Sequence, residues 1–148
     1  MTSTVGLVLI CLAANLFAVA HSNAADIKLE AQLIWGTTNS VSPDPRHKPV
    51  DPDVEKRLKK LPFKWEHYFE VRRKRFTVPE GEDREIEMSS DCSIKVKNAG
   101  DSKVQVNLLG KGKSVGKIGQ ALPKGEILVT GGNAENLTAW FVVLKQVD

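Results

Sequence analysis

Two runs of alternating apolar and polar residues meet at a tight Asn-Ala-Gly-Asp turn within residues 91–109. The apolar positions fall at every second residue, at Cys92, Ile94 and Val96 before the turn and at Val104, Val106 and Leu108 after it. Because strand side chains alternate between two faces, the pattern predicts a β-hairpin with one apolar face and one solvent-exposed face. A lone hairpin is marginally stable in water, so we expect the rest of the chain to supply strands that cover it.

The first 24 residues form a separate segment. Residues 5–20 are almost wholly apolar, small and polar residues follow, and the first charged residue is Asp26. This order is typical of a signal peptide, so we expect cleavage and a secreted or periplasmic protein without a membrane span. An uncleaved anchor is the alternative, because the apolar run approaches the lower end of membrane-spanning length. Cleavage would remove Cys11 and leave Cys92 as the sole cysteine, so no internal disulfide is expected.

Residues 25–148 are expected to form a single all-β domain, a two-sheet antiparallel β-sandwich. Further alternating runs lie at residues 27–35 and 63–71, and residues 138–147 are apolar on both faces, which predicts a central strand. The hydrophobic share of 41% and charged share of 26% exclude a disordered or collagenous chain. The general look, centred on IKVKNAGDSKVQVNL, is similar to bacterial immunoglobulin-like modules, and no functional residue is taken from that likeness.

The first crossover is predicted to hold a proline-rich loop and one short helix. Residues 37–52 carry four prolines among Ser, Asn and Asp, which excludes regular structure. A helix is expected over residues 52–61, with Asp51 as its cap and Val54 and Leu58 on its apolar stripe.

The strongest charge feature is the basic run Arg72, Arg73, Lys74 and Arg75. With the basic residues of the predicted helix, it could bind a sulfated or phosphorylated glycan or another polyanion. An extended chain points successive side chains to opposite faces, so at most half of the run can reach one ligand. We expect the acidic residues of the following segment, 80–87, to neutralise the run by cross-strand pairing. The apolar phase changes after the run, which suggests a bulge or bend.

Aromatic side chains offer a second route to carbohydrate. Trp65 and Trp140 lie in apolar alternations and are expected in the core. Trp35, at a strand end, and Tyr68, on the polar side of its strand, are the two aromatics expected to be exposed and able to stack on a sugar ring.

Three reactive residues, Cys92, His67 and His47, are candidates for catalytic or metal sites. Cys92 shares a face with Ile94, so it is expected to be a buried, inert thiol, and His67 lies on an apolar face as a core histidine. A thiol enzyme would need these two side chains in contact. His47 stands near Asp44 in the proline-rich loop, but the spacing matches no known ligand pattern, so no metal is expected.

Two short motifs add little. The glycine-lysine segment 110–114 lacks the spacing of a phosphate-binding loop, so a lysine-rich hairpin is expected there. Asn136 begins an Asn-Leu-Thr sequon, which would be glycosylated only in a eukaryotic source.

Without a catalytic constellation or cofactor motif, the sequence predicts a non-enzymatic interaction module of the cell envelope or extracellular space. A protein partner, met at a strand edge or at the loops, is the first expectation. The alternative is a carbohydrate- or polyanion-binding sandwich that uses the basic run with Tyr68 and Trp35. A nucleic acid is not expected, and the formal net charge of +3 leaves any polyanion partner to local patches.

Overall fold

The protein is a two-sheet antiparallel β-sandwich with one short helix, as seen in a computed structural model that describes residues 25–134 and 137–147. The five-stranded sheet has the order β2-β3-β1-β9-β8, formed by β1 Ile27–Thr37, β2 Lys48–Pro49, β3 His67–Val78, β8 Ile127–Asn133 and β9 Ala139–Gln146. The four-stranded sheet has the order β4-β5-β6-β7, formed by β4 Asp83–Glu87, β5 Cys92–Asn98, β6 Lys103–Gly110 and β7 Lys113–Ala121. The predicted fold class is confirmed.

The four-stranded sheet is built from consecutive hairpins around β5 and β6. The predicted hairpin is confirmed, with Val96 opposite Val106. Its turn places Gly100 and Asp101 at positive φ, where glycine and aspartate are better tolerated than bulky residues. The glycine-lysine segment forms the next hairpin, β6 to β7, as expected.

The main core lies between the two sheets. Its fully buried aliphatic side chains come from both inner faces: Leu29, Val78, Met88, Ile94, Leu108, Leu122, Leu128 and Leu144. Burying one such side chain contributes about 1.5–3 kcal/mol before the entropy of ordering is counted. The alternation along the strands therefore supplies the interface that holds the sandwich together.

A second apolar layer covers the outer face of the five-stranded sheet. Helix α1, Pro52–Lys59, buries Val54 and Leu58 against Tyr68 and Phe141 of the sheet. The helix ends at Lys59, before the predicted position 61, because the chain tightens into i to i−3 hydrogen bonds there. Strand β9 is central and buried on both faces, as predicted.

Several predicted boundaries were wrong by a few residues. Strand β1 continues through Gly36, which pairs with Tyr68, and ends at Thr37. Strand β3 begins at His67 rather than at residue 63, and the proline-rich loop contains the short strand β2. Pairing partners supplied by distant segments set these ends, and local alternation cannot reveal them.

A bulge interrupts β3 next to the basic run. Arg72 pairs with Leu33 while Glu70 pairs with Ile34, so Val71 is the extra residue. The predicted irregularity is confirmed, although it precedes the run instead of following it. The extra residue shifts the phase of the strand and decides which basic side chains point toward helix α1.

Two predictions fall outside the described residues: the signal peptide at residues 1–24 and the sequon at Asn136. Among the residues that the structure describes, no helix has the length and apolar character needed to cross a bilayer.

Candidate anion-binding groove

The basic run is divided between the two faces of the five-stranded sheet, as expected. Arg73 pairs with Gln32 and Arg75 with Glu30, on the face that helix α1 covers. Arg72 and Lys74 alternate with them and take the opposite face. The run therefore supplies two pairs of cations, one to each face, and Arg73 with Arg75 is the pair on the helix side.

A buried carboxylate, Glu30, holds the two arginines in place. Its side chain has 0% exposure and accepts a hydrogen bond from Arg75 Nε at 2.7 Å. Lys145 Nζ lies 3.2 Å and Arg73 Nη1 3.4 Å from its Oε1 atom. Burial alone would raise the pKa of Glu30, but the hydrogen bonds from Arg75, Lys145 and Gln32 outweigh it and lower that pKa.

The guanidinium of Arg73 is engaged in ion pairs with acidic residues of this cluster. Its Nη2 atom lies 2.5 Å from Glu70 Oε2 and 2.8 Å from Asp51 Oδ2. The pKa of Arg73 is raised, chiefly by the hydrogen bond to Glu70. Asp51 is at the N-cap position of α1, but its side chain makes no capping hydrogen bond; its carboxylate accepts from Arg73 and Gln32 instead.

The predicted pairing between the basic run and the acidic segment is wrong. The segment forms β4, which lies in the other sheet and pairs with β5. Its carboxylates find local partners there, with Asp83 3.4 Å from Lys95 Nζ. The run is partly neutralised, but by Glu30, Glu70 and Asp51, which come from other segments.

The side chain of Arg75 lines a groove between helix α1, the start of β8 and the end of β9. Its side chain is 72% exposed, whereas Glu30 fixes the orientation of its guanidinium through Nε. The groove has a volume of about 920 Å³. We call it the basic groove, because six basic residues line it: Lys56, Arg57, Lys60, Arg75, Lys124 and Lys145.

The charge balance of the basic groove favours anions. Three acidic residues, Asp51, Asp53 and Glu126, also line it, against six basic ones. One of the three, Asp51, is already engaged by Arg73. The described lining includes no Ser, Cys or His, so its chemistry is charge pairing and hydrogen-bond donation to an anion.

The predicted aromatic platform is wrong for Tyr68. The ring is 5% exposed and packs 6.1 Å from Phe141, and burial raises the pKa of its hydroxyl. The expectation is wrong because helix α1 covers the face that the alternation predicts to be solvent-exposed. Trp35 is half-buried, with its ring 6.1 Å from Phe69 and 6.2 Å from His47.

A second groove contains Trp65, which the sequence pattern predicts to lie in the core. It has a volume of about 450 Å³, and we call it the aromatic groove after the residues Phe63, Trp65 and Phe141 in its lining. Trp65 is half-buried and donates a hydrogen bond from Nε1 to the Leu137 carbonyl at 3.0 Å. The one local sequence signal is Pro62, just before this segment; in the structure β3 begins only at His67, after Trp65.

The reactive side chains are not assembled into a catalytic site. Cys92 is buried in the four-stranded sheet, where burial raises the pKa of its thiol to about 11. His67 begins β3 in the other sheet and is half-buried. His47 Nδ1 lies 2.8 Å from Ser42 Oγ, and its Nε2 lies 3.7 Å from Asp44. Within residues 25–134 and 137–147, no three His, Cys, Asp or Glu side chains cluster in a way that could hold a metal ion.

The fold and the groove define a β-sandwich with a basic cleft beside its only described helix. Comparison with known protein families, characterised proteins and solved structures finds no match for this chain.

Proposed function

We propose that this protein is an exported, non-enzymatic module that binds an anionic polymer, such as a sulfated or phosphorylated glycan, in the basic groove. The proposal rests on the way in which basic side chains from distant segments come together at one groove. Basic side chains from the helix, from β3, from the β7–β8 turn and from β9 line one groove although they are far apart in sequence. The predicted signal peptide supports export.

The binding face is partly organised before any ligand arrives. Glu30 fixes Arg75, and it also holds Lys145 at 3.2 Å, so two cations are positioned by one buried carboxylate. Lys56, Arg57 and Lys60 are exposed on one side of a helix anchored by Val54 and Leu58. A preorganised set of donors spends less free energy on ordering when it binds.

A matched pair of triple variants tests the proposal. Lys56→Gln, Arg57→Gln and Lys60→Gln remove three positive charges from the groove. The control, Lys97→Gln, Lys103→Gln and Lys117→Gln, removes three exposed positive charges from the four-stranded sheet. Affinity for a sulfated polysaccharide is measured by titration calorimetry on the expected mature protein, residues 25–148.

The groove variant is expected to weaken binding by about tenfold or more, and the control by about threefold or less, because direct charge contacts dominate polyanion binding. Raising the salt from 50 to 200 mM is expected to weaken the wild type steeply and the groove variant less. An equal loss of affinity in both triple variants would show that binding depends on the overall charge of the protein, and it would contradict a binding site in the basic groove.

A protein partner is the second candidate, favoured by the exposed edge strand β7. Among the described strands β7 pairs only with β6, and it exposes Val115 by 57% and Ile118 by 36%. An extended segment could add to this edge through main-chain hydrogen bonds. Crosslinked pull-downs at low and high salt separate the two candidates, because a partner held at β7 would survive high salt and be lost in Ile118→Lys.

A further inference from the structure

We propose that the aromatic groove binds a sugar ring, so that the ligand of the protein is an anionic oligosaccharide rather than a bare polyanion. The inference rests on the proposed function and names the chemistry of its ligand. It follows from three features: the fixed ring of Trp65, the position of the two grooves along β8, and the polar rim around the aromatic side chains.

The ring of Trp65 is held in place by its surroundings. Phe141 meets it edge-on, with the ring centroids 5.7 Å apart and an interplanar angle of 72°. Phe63 lies 5.9 Å away, and the Nε1 hydrogen bond to Leu137 fixes the rotation of the indole. A half-buried ring with fixed orientation can stack on a ligand at little entropic cost.

The two grooves adjoin each other on one strand. Ile127 lines the basic groove and Val129 lines the aromatic groove, and both belong to the apolar layer on the helix side of the sheet. A strand rises about 3.3 Å per residue, so these two positions are about 7 Å apart. An extended ligand that lies along β8 would meet the cations first and the aromatic rings next.

The aromatic groove suits a ring with one apolar face and polar edges. Thr130, Asn133 and the backbone of Gly131 and Gly132 also line it and can exchange hydrogen bonds with hydroxyl groups. The Lys64 ammonium lies 5.7 Å from the centroid of the Trp65 ring, in a cation–π contact on one face of the indole. Polyphosphate has no apolar face to place against the indole.

A single-stranded nucleic acid also combines charge with stacking, but the aromatic groove fits it less well. Proteins that bind single strands present successive aromatic side chains, one for each base. Here Phe63 and Trp65 pack on each other and on Phe141, so they present one stacking position. Expected export also places the protein among surface glycans.

The test compares four probes on the mature protein by titration calorimetry: a sulfated hexasaccharide, polyphosphate of matched charge, an oligo-dT strand and poly-glutamate. Trp65→Leu keeps an apolar side chain but removes the π face. It is expected to weaken hexasaccharide binding about threefold to tenfold and to leave polyphosphate binding unchanged within twofold. Trp35→Leu, the matched control beyond the groove, is expected to change neither affinity.

A second readout covers the case in which Trp65→Leu fails to fold. In a Trp35→Phe, Trp140→Phe background, Trp65 is the only tryptophan left, and its emission is expected to shift with the hexasaccharide but not with polyphosphate. The sugar site is refuted if the hexasaccharide does not shift the Trp65 emission and Trp65→Leu does not weaken hexasaccharide binding. If polyphosphate still binds in that case, the proposed anion site in the basic groove is retained. Tighter binding of oligo-dT or poly-glutamate than of the hexasaccharide also overturns the sugar site. If no polyanion binds at low salt, the proposed function falls with it.

Discussion

At the scale of single residues, Glu30 both positions the cations of the basic groove and is expected to stabilise the fold. It is fully buried, yet Arg73, Arg75 and Lys145 all lie within 3.4 Å of its carboxylate. Glu30→Gln keeps the size but removes the negative charge that these cations share. We expect the free energy of unfolding in urea to fall by about 2–3 kcal/mol, because breaking a buried ion network leaves its charges uncompensated.

The matched control for this change is Glu85→Gln on β4. The Glu85 carboxylate is exposed and accepts a hydrogen bond from Ser93 at 3.1 Å. Exposed pairs contribute little, so this variant is expected to lose less than about 0.5 kcal/mol. Equal losses in the two variants would show that Glu30 does not organise the cluster.

The lowered pKa of Glu30 also predicts how stability depends on pH. A carboxyl group with a lowered pKa in the folded state stabilises the protein above its unfolded pKa, and the contribution disappears as the pH falls through the folded value. The unfolding free energy should therefore decline as the pH drops below 4.5, the ordinary pKa of a glutamate, and that of Glu30→Gln should decline less steeply. Parallel curves for the wild type and the variant, measured in urea from pH 7 to pH 3, would refute this prediction.

The thiol of Cys92 should be inert in the folded protein. Burial raises its pKa to about 11, so almost no thiolate exists at neutral pH, and the side chain is only 7% exposed. Iodoacetamide is expected to modify Cys92 of the mature protein only after urea is added, as measured by mass spectrometry. Rapid modification under native conditions would reopen the case for a thiol enzyme.

At the scale of elements, the pairing of β8 with β9 depends on Gly131. A Cβ atom built there would lie 2.9 Å from the Phe141 Cα and closer still to the Trp140 carbonyl oxygen, so the backbone of β9 would have to move. We expect Gly131→Ala to destabilise the protein by about 1–3 kcal/mol and to disturb the adjoining aromatic groove. Gly116→Ala is the control, because nothing lies within 4 Å of the Cβ position there. Thermal unfolding that is equal in both variants would contradict the close approach.

Elements with strong local patterns were predictable from the sequence. Alternation alone predicted the β5–β6 hairpin, and apolar character on both faces placed β9 at the centre of its sheet. The failures involve the second layer. Tyr68 and Glu30 both follow the rules of a solvent-exposed face. Contacts between distant segments bury them: α1 packs with Tyr68, and cations from β3 and β9 surround Glu30.

At the scale of the whole molecule, the candidate site was only half predictable. The basic residues that matter could be listed from the sequence, because Arg75 and the helix cations stand in obvious charge runs. Lys145 and Lys124 could not be assigned to the same groove, since only the sheet order brings the ends of β8 and β9 beside the helix. The aromatic groove was missed because an alternation rule cannot separate a buried tryptophan from one at the rim of a cleft.

The uneven covering of the two sheets has a consequence for how the protein opens. Strands β1 and β9 are central and buried on both faces, whereas β7 is an edge strand that is mostly exposed. Local opening costs less where fewer apolar contacts must be broken. Backbone amides of β1 and β9 should therefore exchange with deuterium only through global unfolding, while those of β7 exchange through smaller fluctuations. Both grooves border β8, the edge strand next to β9. The outer wall of each groove can therefore open by local fluctuation while the central strands stay paired.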